Sequence, residues 1–308
     1  MTKLVTLQTG NRSLEGISRR TFGSIALSSL VLLPRPGRAQ GRTPALVPTE
    51  TLDLKKFAHP TEITNKWIPL KPGTRWTYDG TTVEDDGKVV PHQIVHTVTD
   101  MTKKIDGIRT VITYDLDISD SELAEAELSF FAQDDDRNVW HFGEYPEVME
   151  DDKLKDTPLW IHGLEGSKAG IMMKADPKLG TPSYSQGYGP KVGWIDRGET
   201  FQMDQKVSVK AGDYDGVLVI KESALGEKDA EQLKYYAAGV GNIKVGWTGN
   251  KGNAQEVLEL TKVELLDAKT MAEIRKKVIE MEKTAVRRSK NVYARLPPAE
   301  PNPILASR

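Results

Sequence analysis

The chain has 308 residues, with 42 basic and 44 acidic side chains and a formal net charge of −2. That balance argues against a general binder of nucleic acid or of anionic membrane, which needs a basic excess. There is no cysteine, which excludes disulfides, thiolate metal sites, cysteine-held iron–sulfur clusters and a cysteine nucleophile.

In chain order, the first feature is Ser18-Arg19-Arg20-Thr21-Phe22-Gly23, a twin-arginine export signature in which Ser18, Arg19, Arg20 and Phe22 carry the signal. An apolar run from Ile25 to Leu33 follows, and Gly37 and Ala39 supply the small residues of a cleavage site. The run falls well short of the roughly 20 residues a membrane span needs, so residues 1–39 read as a cleavable signal peptide and no span is expected in the mature chain. The export machinery is the implied partner, and the expected location is periplasmic or secreted. Residues 40–60 are polar and broken by prolines, an N-terminal arm lying over the fold or frayed from it.

Residues 61–266 form the expected β domain. Arg75–Val83 and Val89–Thr99 alternate around a turn that contains Asp86-Gly87, a hairpin pattern. Ile108–Ile118 and Leu123–Ala132 alternate likewise, and the run from Asp134 to Asn138 turns the chain into Val139–Gly143. From Pro146 to Gly193 no period is sustained, apart from short strands expected at Leu159–Ile161 and Ser183–Tyr188. Alternation resumes at Thr200–Val209, Gly216–Glu222, Gln232–Ala237, Ile243–Thr248 and Glu256–Glu264. The fold class is therefore mainly β: an antiparallel meander of about ten strands forming a curved sheet or half-barrel. Residues 267–290 read as one C-terminal amphipathic helix with Asp267 as N-cap and an apolar stripe of Met271, Ile274, Val278, Met281 and Ala285. Packing on the sheet is the expected use of that stripe, since two heptads are few for a coiled-coil seam. Residues 291–308, rich in proline, read as a disordered tail.

Three phrases carry a resemblance. Trp67 to Tyr78 contains Pro69-Leu70-Lys71-Pro72-Gly73 and Trp76-Thr77-Tyr78, Asn138 to Glu144 reads N-V-W-H-F-G-E, and Tyr235 to Gly241 reads Y-Y-A-A-G-V-G. Together they resemble exported bacterial β-rich proteins of no assigned activity, and the general look is similar to the half-barrels of periplasmic lipoprotein carriers. The resemblance implies a fold and no chemistry. The long middle segment and the helix after the sheet depart from those carriers.

Candidate chemistry is sparse. His92 and His96 share one strand face about 13 Å apart, too far to chelate one metal, and with His141 as the obvious further ligand they read as solvent-facing instead. Asp134, Asp135 and Asp136 could offer oxygens to calcium but lack the glycine and distal glutamate of an EF-hand, so a solvated turn is expected. Met149, Met172, Met173 and Met203 read as core filler. No metal or cofactor is expected.

Trp160, Trp140, Trp194, Tyr184 and Tyr188 lie in or beside the irregular segment and are the expected ligand contacts, Trp160 foremost, because an indole offers a large apolar face and one N–H donor. The expected function is a non-catalytic exported binding protein for a small or amphipathic ligand. The alternatives are a polysaccharide hydrolase using carboxylates among Glu144, Glu147 and Glu165 with stacking tryptophans, and a structural module that binds a partner through the helix stripe. Replacing Arg19 and Arg20 with Lys is expected to leave precursor in the cytoplasm. Fractionation followed by immunoblotting checks this, and undiminished mature protein outside the cytoplasm contradicts it.

Overall fold

In a computed structural model, residues 48–84, 87–224, 231–249 and 255–303 are described. The twin-arginine signal and the cleavage position after Ala39 lie outside the described residues. Five strands make a first meander: β1 (Thr74–Val83), β2 (Val89–Ile105), β3 (Ile108–Ser119), β4 (Glu122–Gln133) and β5 (Val139–Glu150). Short strands follow, β6 (Lys153–Asp156), β7 (Trp160–Ile161), β8 (Lys168–Met173), β9 (Tyr184–Ser185) and β10 (Gly187–Tyr188). A second meander comprises β11 (Asp196–Val209), β12 (Gly212–Ala224), β13 (Glu231–Ala237), β14 (Gly241–Thr248) and β15 (Val257–Leu265), before helix α1 (Ala268–Arg288) and β16 (Glu300–Pro301). All strand pairs are antiparallel, and β15 pairs with β1 to join the two meanders into one sheet.

The sheet has 16 strands rather than about ten. The surplus comes chiefly from the middle segment and from β16, where runs of two to six residues are too short to show a period. The sheet is curved. Residues 184–188 pair with β11 through Arg197↔Ser185 and Gly198↔Tyr184, and with β8 through Gly187↔Ala169 and Tyr188↔Lys168. One extended segment thus touches both ends of the strand order, without a continuous ladder between β8 and β11.

Curvature gives the sheet an inner and an outer face, each with its own core. Inside, Trp76, Tyr78, Ile94 and Phe131 pack with Leu218, Ile243, Leu258 and Leu260 from the opposite meander, and Ile63, Trp67, Ile68 and Leu70 join them. Both Met172 and Met173 are buried in this core as filler. Outside, Met101, Ile112, Leu128, Phe130 and Phe142 pack beneath the helix stripe. Asp267 caps the helix by accepting from Thr270 N at 2.7 Å, and Met271, Ile274, Val278, Met281 and Ala285 are all buried. The stripe therefore serves the fold and is not open to a partner.

Residues 291–303, expected as part of a disordered tail, are instead packed. Tyr293 and Val292 enter the outer core and Glu300 pairs with Thr102 of β2. The reason is a buried polar knot that composition hides. The Glu282 carboxylate accepts from Lys103 Nζ at 2.7 and 3.0 Å, from Ala299 N at 3.0 Å and from the Tyr293 hydroxyl, while Lys103 Nζ also donates to Pro297 O at 3.0 Å. Arm residues from Pro48 onward lie over the fold: Phe57 meets Phe142 edge-on and Ala58 N donates to Asp135 Oδ1 at 2.9 Å.

Removing one member of a buried charged pair costs about 3–5 kcal/mol because its partner stays buried and unpaired. Glu282→Ala, which orphans Lys103, is expected to destabilise the protein by about that amount in chemical denaturation. A loss below about 1 kcal/mol contradicts the assignment of this knot as the clamp on the tail.

Candidate functional site: the polar interior of the sheet

The inner face is only half apolar. Strand alternation sends His92 and His96 of β2 inward, and register places His96 opposite Asp115 and Asp115 opposite Glu127. Neither histidine faces solvent as expected; both are buried. The cause is that both share a face with Ile94 and Val98, which the curvature of the sheet turns into the inner core, while Val89 and Pro91 on the other face are exposed. His92 Nε2 lies 2.8 Å from Asp117 Oδ1, and His92 Nδ1 lies 3.9 Å from Glu256 Oε2. His96 Nδ1 pairs with Asp115 Oδ1 at 2.5 Å.

Across the interior, Lys234 of β13 places its ammonium 2.8 Å from Glu222 Oε2, and Gln186 donates to Glu222 Oε1 at 2.7 Å. Asp115, Asp117, Glu125, Glu127, Glu144, Asp196, Glu222 and Glu256 are all buried. Such crowding shifts proton affinities. Burial raises Glu127, and the Glu144, Glu125 and Asp115 carboxylates add to it. Burial also pushes Glu256 up to about 7, against the pull of His92. Burial opposes charge on His92, but Asp117 and Glu256 outweigh it and raise its pKa. Burial holds His141 neutral, its pKa down to about 3.

The five expected contact residues divide. Trp160 and Trp194 pack against each other with ring centroids 4.9 Å apart, and both meet the His141 ring edge-on at 4.9 and 5.3 Å. Tyr184 joins them in the interior near Glu222 and Glu50, its phenol pKa raised by burial and by those carboxylates. Trp140 belongs to the outer core, where its indole donates to Asp134 Oδ2 at 2.8 Å. Tyr188 is half-buried beside Lys168. Trp160, the foremost expected contact, lies in the short strand β7 and is an interior residue, 2% exposed. Glycines make this possible: a Cβ on Gly187 would lie 2.4 Å from the Trp194 ring and 2.6 Å from that of Trp160, and one on Gly189 would lie 2.7 Å from Trp160.

What marks this interior as more than core is a set of buried polar atoms that make no hydrogen bond: Trp160 Nε1, Trp194 Nε1, the Tyr184 hydroxyl, Gln186 Oε1, Thr200 Oγ1 and Gln232 Oε1. Buried polar groups are ordinarily satisfied, and each exception needs an explanation. A small pocket reaches the inner face between the N-terminal segment and β14, lined by Ile68, Leu70, Trp76, Tyr78, His96, Lys234 and Asn242. Its space, about 20 Å³, is enough for roughly one water.

Sequence alone missed Lys234, Glu222, Gln186, His92 and Glu256 as one group. His92, Glu222 and Lys234 are polar at inward positions of strands and Gln186 and Glu256 adjoin strand ends, but which strands face each other is decided by curvature.

The other candidates have structural uses. Asp134 accepts from Asn138 N and Nδ2 and from Trp140, Asp135 from Ala58 N and Asp136 from Lys56. The acidic turn therefore fastens its own hairpin and the arm: Asp134 is buried, while Asp135 and Asp136 stand in solvent as expected. Among the described residues, no three His, Asp or Glu side chains are grouped to hold a metal ion. Also among the described residues, no helix is long and apolar enough to cross a membrane.

No family model and no curated protein matches the chain. Two solved structures are similar over part of the chain. One, from Bacteroides fragilis, is provisionally described as an exported protein with a YmcC-like fold; it has a TM-score of 0.37 and 14% identity, covering 65% of this chain and 99% of that one. The other, from Parabacteroides distasonis, is provisionally described as a lipoprotein; it has a TM-score of 0.29 and 11% identity, covering 64% of this chain and 97% of that one. Neither likeness bears on what this chain does.

The shift on Glu256 has a testable sign. Its folded pKa lies above the ordinary 4.5, so between 4.5 and about 7 the folded state binds more protons than the unfolded one. Stability then falls as pH rises through that window, by about 3 kcal/mol for a shift of this size. Glu256→Gln removes this term. The variant is expected to be more stable than the parent at about pH 8 and to converge on it near pH 5, as read from denaturant midpoints. A difference that does not change with pH contradicts the burial of an ionisable Glu256.

Proposed function

We propose that the chain is an exported, non-catalytic binding protein that takes a small ligand, apolar in part and polar in part, into the interior of its curved sheet. The twin-arginine signature supports export. One observation supports binding: the interior holds buried donors and acceptors without hydrogen-bond partners, among them the indole N–H groups of Trp160 and Trp194, whose rings pack 4.9 Å apart. Indole faces suit the apolar part of a ligand, and Tyr184, Gln186 and the two indole N–H groups suit its polar part. The pocket at Trp76, Tyr78 and Lys234 is the point of approach, and a ligand larger than a water displaces side chains as it enters.

The hydrolase alternative has less support. Glu144 is on the inner face. Glu147 accepts from the outer-core Tyr145 hydroxyl at 2.8 Å, and Glu165 is exposed, so the expected carboxylates do not converge on one cleft. The partner-module alternative fails because the helix stripe is covered.

Protein exported by its native route should release a small molecule in near-equal amount when unfolded and extracted for mass spectrometry, and should melt lower after refolding without it. No molecule above background, together with identical melting before and after, contradicts the proposal.

A further inference from the structure

One part of the interior is unlike the rest. At the end of the sheet away from Trp67 and Leu70, the register sets Glu222 opposite Gln232 and Gln232 opposite Trp247. Val245 pairs with Leu258, the last pair of that ladder, and Glu256 stands just before β15, on the side of the pair toward which Trp247 continues. Glu222, Gln232 and Trp247 therefore form one row across three neighbouring strands, and extending the register of the last ladder puts Glu256 at its end. Glu222 is held closely, one oxygen by a hydrogen bond from Gln186 and the other by an ion pair with Lys234 at 2.8 Å. Glu256 is held loosely: neither of its oxygens accepts a hydrogen bond and His92 stands off at 3.9 Å, although the residue is only 3% exposed. Gln232, 6% exposed, holds Oε1 as an acceptor without a donor in the same row. Trp247 is half-buried, so this row, unlike the Trp160 cluster, reaches solvent.

Charge decides what fits. Among the described residues, the interior buries eight carboxylates against one lysine, and Lys234 is engaged with Glu222. His141 is held neutral and His96 is paired with Asp115. His92 is shared between Asp117 at 2.8 Å and Glu256 at 3.9 Å, the second too long for a hydrogen bond. A buried carboxylate whose paired histidine stands off at 3.9 Å is only partly compensated, and the group that completes it best is a cation with N–H donors. The Lys234–Glu222 pair shows the same chemistry two strands away.

We propose that Glu256, with Gln232 Oε1 and the Trp247 ring, seats the ammonium or guanidinium group of an organic cation. The carboxylate meets the charge, the amide oxygen accepts a second N–H, and the indole face favours a cation or the apolar carbon next to it. This deepens the binding function proposed above and rests on it. It differs from that proposal in fixing the charge of the ligand, so the two can fail separately.

The test uses benzylamine and 1,5-diaminopentane as cations and benzyl alcohol as the uncharged counterpart of the first, titrated calorimetrically into the exported protein at about pH 8 and constant ionic strength. Benzylamine should bind at least about tenfold more tightly than benzyl alcohol, and Glu256→Gln should weaken the amine by about tenfold while leaving the alcohol unchanged. Glutamine keeps the shape of the side chain and removes a buried charge, so the variant should fold; its melting curve checks this. Gln232→Leu, which removes the second acceptor and keeps the bulk, should weaken the amine in the same direction and supports the same conclusion if Glu256→Gln does not fold. Equal binding of amine and alcohol, no binding of either amine, or amine binding unchanged in the folded variants overturns the cation seat. Co-purification of an uncharged or anionic molecule would overturn it too while sustaining the binding function, whereas the absence of any co-purifying molecule is the failure of that function itself.

Discussion

Everything inside this protein depends on the extended segment at residues 184–188, because it bonds to β11 through one half and to β8 through the other. A sheet of this size held open would leave its inner face, with His92, Asp117, Glu222 and Lys234, in water. Drawing both ends to one segment buries those groups and brings β5 opposite β13, so that His141 and Lys234 come within electrostatic reach. The segment can sit there only because Gly187 and Gly189 leave room for the Trp160 and Trp194 rings. Two glycines and two indoles thus join topology to electrostatics. A side chain at either glycine would have to move an aromatic ring that has no free space to enter.

The two faces of the sheet use buried charge differently. On the outer face, Lys103 and Glu282 are enclosed in a knot in which both oxygens of the carboxylate and the ammonium have partners. That arrangement fixes a helix and a tail in place, the structural use of a buried ion pair. On the inner face, the pairs His92–Asp117 and Lys234–Glu222 sit among acceptors and donors left without partners. Fully satisfied networks rigidify a core, and partly satisfied ones mark where a protein departs from pure packing.

Much of the fold was legible in the sequence, because period and turn chemistry are local. Alternation located both meanders, and the stripe from Met271 to Ala285 located the helix and the face it buries. The tail was misread since its order depends on Glu282, which lies on the helix, and on Lys103, far away in the chain. His92 and His96 were misplaced for a related reason: alternation says that two residues share a face, and only the sheet order says whether that face is wet. At the site, the tryptophans were recognised as a group through composition, but their burial was not, since the glycines that admit them look like ordinary loop residues. Lys234, Glu222 and Glu256 carry no spacing signal at all.

The central claim is that the inner face is a lined interior for a ligand and not a core with stray polar atoms. The six tryptophans make this directly observable. Trp76 and Trp140 donate their indole N–H to Val240 O and Asp134, whereas the N–H groups of Trp160, Trp194 and Trp247 have no acceptor. Nitrogen-15 indole spectra of natively exported protein, recorded before unfolding and again after refolding from denaturant with dialysis, would report each group separately. The account predicts that the Trp160, Trp194 and Trp247 signals shift between the two samples while that of Trp140, in the outer core, stays in place. Unmoved signals from Trp160, Trp194 and Trp247 would contradict it.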